Sequence, residues 1–182
     1  ALTPEFRYYQ RLLARDQSEA AEIIEEHLNG SEGPSAFDAL LLPALNYAER
    51  DRLKGRLTAE EEAAIVDLTR DLVADTEALM NARREGNAAD RVPGEADAVR
   101  VPILGYGGNS DADLLALRML EIEARDVPVA FDFASARALV SEVVARVRER
   151  QYLAICIADL PPSPPSRTRY LVRKLRAAVP DL

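Results

Sequence analysis

The 182-residue chain has no tryptophan, one cysteine and one histidine. Each scarcity removes a class of chemistry. With Cys156 alone, no disulfide forms within the chain, which agrees with a reducing compartment. With His27 alone, there is no set of imidazoles and clustered thiols from which to build a zinc or iron site. A Ser–His–Asp hydrolase would need His27 as its base and a Gly-x-Ser-x-Gly turn for its nucleophile, and the turn is absent. No run of 18 apolar residues occurs, so no segment reads as a membrane-spanning helix. Basic charge is also short, with 23 Lys/Arg against 31 Asp/Glu. A net charge of −8 excludes nucleic acid as the expected partner, because phosphate backbones need a basic face.

What is present falls into two halves. Residues 1–98 hold 11 Lys/Arg against 21 Asp/Glu, and residues 99–182 hold 12 against 10. Opposite net signs predict halves that attract each other or meet different partners. The chain opens on Ala-Leu-Thr-Pro and closes on Val-Pro-Asp-Leu, which reads as a fragment of a longer protein.

The first half is helical by pattern. Helix one spans roughly 4–15, with Phe6, Tyr9, Leu12 and Leu13 on one face. Asp16 and Glu19 start helix two, whose apolar positions are Ala20, Ile23, Ile24 and Leu28, with His27 beside them. Residues 29–34 break the chain. Ser35 and Asp38 open helix three, which carries Pro43 inside it and should kink there. Thr58 and Glu61 form a capping box for helix four, with Ile65, Leu68, Leu72 and Leu79 as its inner stripe. Four amphipathic helices over 1–84 predict a bundle. Residues 85–98 are small, polar and aperiodic, and read as a linker.

After the linker the rhythm changes. Strands at 99–104, 127–133 and 153–158 alternate with helices at about 111–125, 136–150 and 166–178. That alternation predicts βαβ units, a parallel sheet and helices on both of its faces. The fold class is therefore α/β: an N-terminal four-helix bundle, then a flavodoxin- or Rossmann-like module over 99–182, truncated to three strands. Its last strand should expose an edge that invites pairing.

The loop after the first strand is the candidate ligand site: Gly107, Gly108, Asn109, Ser110 and Asp111, joined by Asp159 and Pro161 from the loop after strand three. Backbone N–H groups at a helix start favour an anion or a polar ligand. The alternative is a plain helix cap, since Asn, Ser and Asp are the preferred cap residues. The glycines spell Gly-x-Gly-Gly and no lysine follows, so nucleotide binding is weakly supported. A second candidate surface is the last helix, where Arg169, Arg173 and Arg176 share one side and would face an acidic partner or anionic lipid; the alternative is a solvated face. Cys156, between two isoleucines, reads as a structural thiol. Glu60, Glu61 and Glu62 open a helix and suit its dipole.

A helical cap, a linker and a flavodoxin-like module together resemble cobalamin-binding domains. Leu42-Pro43-Ala44-Leu45 resembles that family's Leu-x-Pro-Ala-Met turn, and the run from Gly55 to Glu62 its Gly-x-Ile-Thr-x-x-x-Glu-His entry to the fourth helix. Gly108-Asn109-Ser110-Asp111-Ala112-Asp113-Leu114 lies against Gly-Asp-x-His-x-x-Gly. Asn109 then replaces the aspartate, Asp111 the cobalt-ligating histidine and Leu114 the glycine. The cap histidine falls on Ala63, and the serine ending strand three falls on Ala158. The chain is also similar to a degenerate form of this module, the cytosolic C-terminal appendage of bacterial membrane proteins of the autoinducer-2 exporter family. Residues 6–17, Leu42–Leu45 with Glu49–Arg52, and Leu160–Pro162 with Arg169–Leu171 carry that likeness. The resemblance implies transmembrane helices before residue 1 and a location on the cytoplasmic side of the inner membrane. It implies a non-catalytic regulatory, sensor or interaction domain of a transporter, whose partner is the rest of its own membrane-embedded chain. No cofactor and no metal is expected, cobalamin being the one cofactor the layout admits. Two alternatives stay open: cobalamin or another small ligand held without histidine, and a module that forms homodimers.

Overall fold

The computed structural model describes residues 2–30, 33–86, 100–162 and 164–180, with the side chains of Pro165 and Arg167 excepted. Among these the chain is α/β, with seven α-helices and one three-stranded parallel sheet. It divides into two compact units, Ala1–Val92 and Pro93–Leu182. Most of the expected linker, residues 87–98, lies outside the described residues. Its first two residues, Glu85 and Gly86, instead belong to a helix.

In the first unit α1 (Pro4–Leu13) packs against α2 (Gln17–Asn29), α3 (Leu42–Leu53) and α4 (Ala59–Gly86). Local signals in the sequence set the starts. Asp16 Oδ1 accepts from the Glu19 amide at 3.1 Å and caps α2. The Thr58 amide donates to Glu61 Oε2 at 2.7 Å and the Glu61 amide to Thr58 Oγ1 at 3.1 Å, the reciprocal box expected for α4.

The expected kink at Pro43 takes another form. A π-helical turn, Phe37–Leu41, precedes α3, and Pro43 sits in the first turn of α3. The π turn runs without a break into α3, so Pro43 does lie inside a helical run, and the wider turn just before it accommodates the missing N–H and the ring. The expected inner faces also need correction. Tyr8 is buried in α1 while Leu13 is exposed, and Val66, Thr69, Val73 and Thr76 join Ile65 and Leu72 inside α4. The two threonines enter the core by donating their hydroxyls to Ile65 O (2.7 Å) and Leu72 O (2.6 Å) one turn back.

In the second unit the sheet order is β2–β1–β3, from β1 (Val101–Gly107), β2 (Val129–Ala134) and β3 (Ala154–Ala158). Both pairings are parallel. Two short crossovers on either side of a central strand match the 2-1-3 start of doubly wound α/β sheets. One sheet face meets α5 (Asp111–Glu123). The other meets α6 (Val140–Glu149) and α7 (Pro165–Ala178). Leu104 and Tyr106 of β1 pack there with Val143, Val147, Leu171 and Leu175. On the α5 face, a Cβ at Gly105 would stand 2.6 Å from the Phe133 ring, so only glycine lets that ring pack this closely against the central strand.

Candidate functional site

The carboxyl ends of β1 and β3 form the point where the winding reverses, and ligands of such sheets bind in the crevice outside it. Here that crevice is bridged by the chain itself. The Gly108 amide donates to Ala158 O at 2.9 Å, and a Cβ on Gly108 would stand 3.0 Å from the same oxygen. A side chain at this position would push the two strand ends apart. One turn further, the Asn109 and Ser110 amides both donate to Asp113 Oδ2 at 2.9 Å. Asp113 Oδ1 accepts from the Leu160 amide at 2.8 Å. Ser110 Oγ in turn accepts from the Asp113 amide at 3.2 Å, which completes the cap of α5. Asn109 Nδ2 donates to Asp159 Oδ1 at 2.9 Å, and the Thr168 hydroxyl donates to Asp159 Oδ2.

These bonds place the expected loop residues in definite roles. Gly107 and Gly108 are close-approach positions: a Cβ on Gly107 would stand 3.0 Å from the Leu114 amide nitrogen. Asn109 and Asp159 link the two loops, and Ser110 is a cap. Asp111 and Pro161 are exposed. The N–H groups of Asn109 and Ser110 are already engaged by Asp113, a carboxylate that is 1% exposed. Asp113 was not among the site residues expected from the sequence. Its part as the joint between the two loops was hidden, because Leu160 lies 47 positions away.

A cavity of about 520 Å³ opens beside this joint. Gly108 and Asn109 line it, while Gly107, Ser110, Asp111, Asp159 and Pro161 do not. Its remaining wall comes from Tyr106, from Ala136, Arg137, Ala138, Leu139 and Val140 after β2, and from Ser166, Tyr170 and Leu171 of α7. The Tyr106 hydroxyl donates to Ala138 O at 2.7 Å and fixes the loop after β2, and burial raises the pKa of that phenol. The buried Oδ1 of Asn109 receives no hydrogen bond among the described residues. The first turn of α7 is not capped by any side chain of its N-cap residue Pro164. The start of α5, where the sequence placed the candidate site, is closed by its own capping box, whereas Pro164 offers α7 no side-chain cap. The residues after β2 went unnoticed in the sequence, although the rule that sites lie beyond strand carboxyl ends points to them.

Arg169, Arg173 and Arg176 share one side of α7, as their spacing requires. With Asp159, Thr168 and Val172 they line a shallow hollow of about 490 Å³. All three are exposed, and among the described residues none has a carboxylate partner. Arg173 instead lies over the Tyr170 ring, 6.0 Å from its centroid.

His27 belongs to the first unit, and its Nε2–H donates to Pro34 O at 2.8 Å. Cys156 is a free, partly buried thiol whose pKa is raised by burial. No group of three or more His, Cys, Asp or Glu is placed to hold a metal among the described residues. At the loop aligned with the cobalt-ligating histidine the donors are the Asp111 carboxylate and the Asn109 amide. These do not supply the neutral nitrogen ligand of the cobalamin family, and the residues present do not fit cobalt ligation from this loop. No protein-family model and no curated protein matches the chain. No described helix is long and apolar enough to cross a membrane.

Proposed function

We propose that this chain is a non-catalytic regulatory module that holds a small ligand at the strand ends of its α/β unit. In this reading the first unit is the four-helix cap and the second the Rossmann-like half of a cobalamin-binding-like domain. Its parent is a membrane transporter, with the module on the cytoplasmic side and the basic face of α7 turned towards the membrane-embedded part of the same chain.

The cavity beside Gly108 carries the reading. Its volume falls in the range that encloses a small molecule, and it lies where α/β sheets bind ligands. Arg137 and Ser166 favour an anionic group, while Leu139, Tyr170 and Leu171 supply apolar surface for its body. No carboxylate, imidazole or thiol is among the described lining residues, so a general base and an activated nucleophile do not meet there. That supports binding over turnover.

Thermal unfolding against inorganic phosphate and a panel of small aromatic carboxylates tests this. A ligand at about 100 times its Kd adds about 2.7 kcal/mol, which raises the Tm of a chain this size by roughly 5–10 °C. Arg137→Ala, at an exposed position, should abolish the rise and leave the ligand-free Tm unchanged. A panel without effect on the wild-type protein would sink the anionic-ligand reading. Gel filtration with hydroxocobalamin separates the remaining alternative, because a coloured protein peak would restore a histidine-free cobalamin site.

A further inference from the structure

β3 is an edge strand of unusual sequence. The other edge, β2, carries Asp132, which is paired with Arg146 and Arg150. Charges of this kind deter another chain from adding to a sheet. β3 has none: it reads Ala154-Ile155-Cys156-Ile157-Ala158, without charge or proline, and Leu153 before it is 68% exposed. An apolar groove of about 360 Å³ runs beside it, between Leu153, Ile155 and Ile157 of the strand side and Val172, Leu175 and Val179 of the α7 side.

The strand is also a palindrome about Cys156. Antiparallel pairing of two copies centred there sets Ala154 against Ala158 of the second copy, Ile155 against Ile157, and Cys156 against its own counterpart. Every opposed pair is then matched in size and polarity. Backbone direction agrees. The Val101 amide donates to Pro128 O beside β2, and the Gly108 amide to Ala158 O, so odd residues of β1 face β2 and even ones face β3. In the β1–β3 register this turns the N–H and C=O groups of Ala154, Cys156 and Ala158 towards β1, and those of Ile155 and Ile157 outward. Two hydrogen-bonded pairs, each Ile155 with Ile157 of the other copy, would flank a close Cys156–Cys156 pair. The same register sets Leu153, which lines the groove together with Arg176, opposite Asp159 of the second copy.

We propose that the free edge of β3 pairs antiparallel with β3 of a second copy about a twofold axis at Cys156, forming one six-stranded sheet. This inference does not rest on the ligand reading above. Opposed residues of such a non-hydrogen-bonded pair stand with Cα atoms about 4.5 Å apart. That falls inside the range a disulfide spans, about 4.4–6.8 Å.

Sedimentation of the 182-residue chain, with disulfide trapping by copper phenanthroline, tests the proposal. A concentration-dependent dimer is expected, trapped through Cys156–Cys156 under oxidant. In a Cys156→Ser background, Ala154→Cys alone and Ala158→Cys alone should fail to cross-link. A mixture of the two should cross-link, because the register opposes them. Ala154→Lys, at an exposed position, should give a monomer with an unchanged circular dichroism spectrum. A monomer at every concentration overturns the proposal. So does equal cross-linking of the single-cysteine chains, or a dimer that survives Ala154→Lys.

Discussion

Removing the Asp113 carboxylate should loosen the junction between β1 and β3 before it affects anything else. Three backbone amides, those of Asn109, Ser110 and Leu160, donate to its two oxygens at 2.8–2.9 Å. A buried donor left without an acceptor costs about 1–3 kcal/mol. Asn109, Ser110 and Leu160 are only partly buried, so water can replace the carboxylate there, and each loss falls near the low end. Asp113→Ala should therefore cost about 3 kcal/mol, a large fraction of the roughly 5–15 kcal/mol that holds a small domain folded. Asp113→Asn keeps one acceptor but turns an amide N–H₂ towards a donor, and should cost about half as much. Chemical denaturation followed by circular dichroism measures the total. Hydrogen exchange at the Gly108 and Leu160 amides reads the junction directly, with amides of α4 in the first unit as internal reference. A loss under about 1 kcal/mol for Asp113→Ala, or unchanged Leu160 protection, would refute the assignment of Asp113 as the joint.

Gly108→Ala places a methyl group 3.0 Å from Ala158 O, a backbone atom that cannot swing aside. It should cost about 1–2 kcal/mol by overpacking and weaken any ligand response in the same titration; wild-type stability would show that the strand ends are not tightly apposed. Asp132 has its carboxyl pKa lowered, first by the hydrogen bond from the Tyr152 hydroxyl and then by Arg146 and Arg150. A lowered folded-state value means stability that is present above the unfolded carboxylate range and lost as pH falls through the folded value. The stability gap between wild type and Asp132→Asn should thus be about 1 kcal/mol at neutral pH and close towards pH 3, read from urea midpoints; a gap independent of pH would show that the ion pairs contribute nothing.

Much of the fold was legible because its signals are local. The Asp16 cap, the Thr58–Glu61 box and the apolar runs of the three strands each lie within a few residues, and helices, capping box and strands all formed near their signals. Ends and faces were less legible. The strand expected at 99–104 runs as Val101–Gly107, and the irregularity expected at Pro43 is a π-helical turn just before it. Burial of Thr69 and Thr76 depends on a hydroxyl finding its own helix carbonyl, which a polar letter in the sequence does not reveal.

The site divides along the same line. The sequence by itself determined that a small-residue loop would follow a strand and cap a helix, because capping needs only Ser110 and Asp113 three positions apart. It also determined that one side of the last helix would be basic, since helical periodicity alone aligns Arg169, Arg173 and Arg176. Only the tertiary structure decided what surrounds that loop. Asp113 reaches Leu160 and Asn109 reaches Asp159 across about 50 positions, and the cavity wall joins three separate segments. Such contacts follow from the packing of parallel strands, where neighbours in space are set by crossover connections rather than by order along the chain.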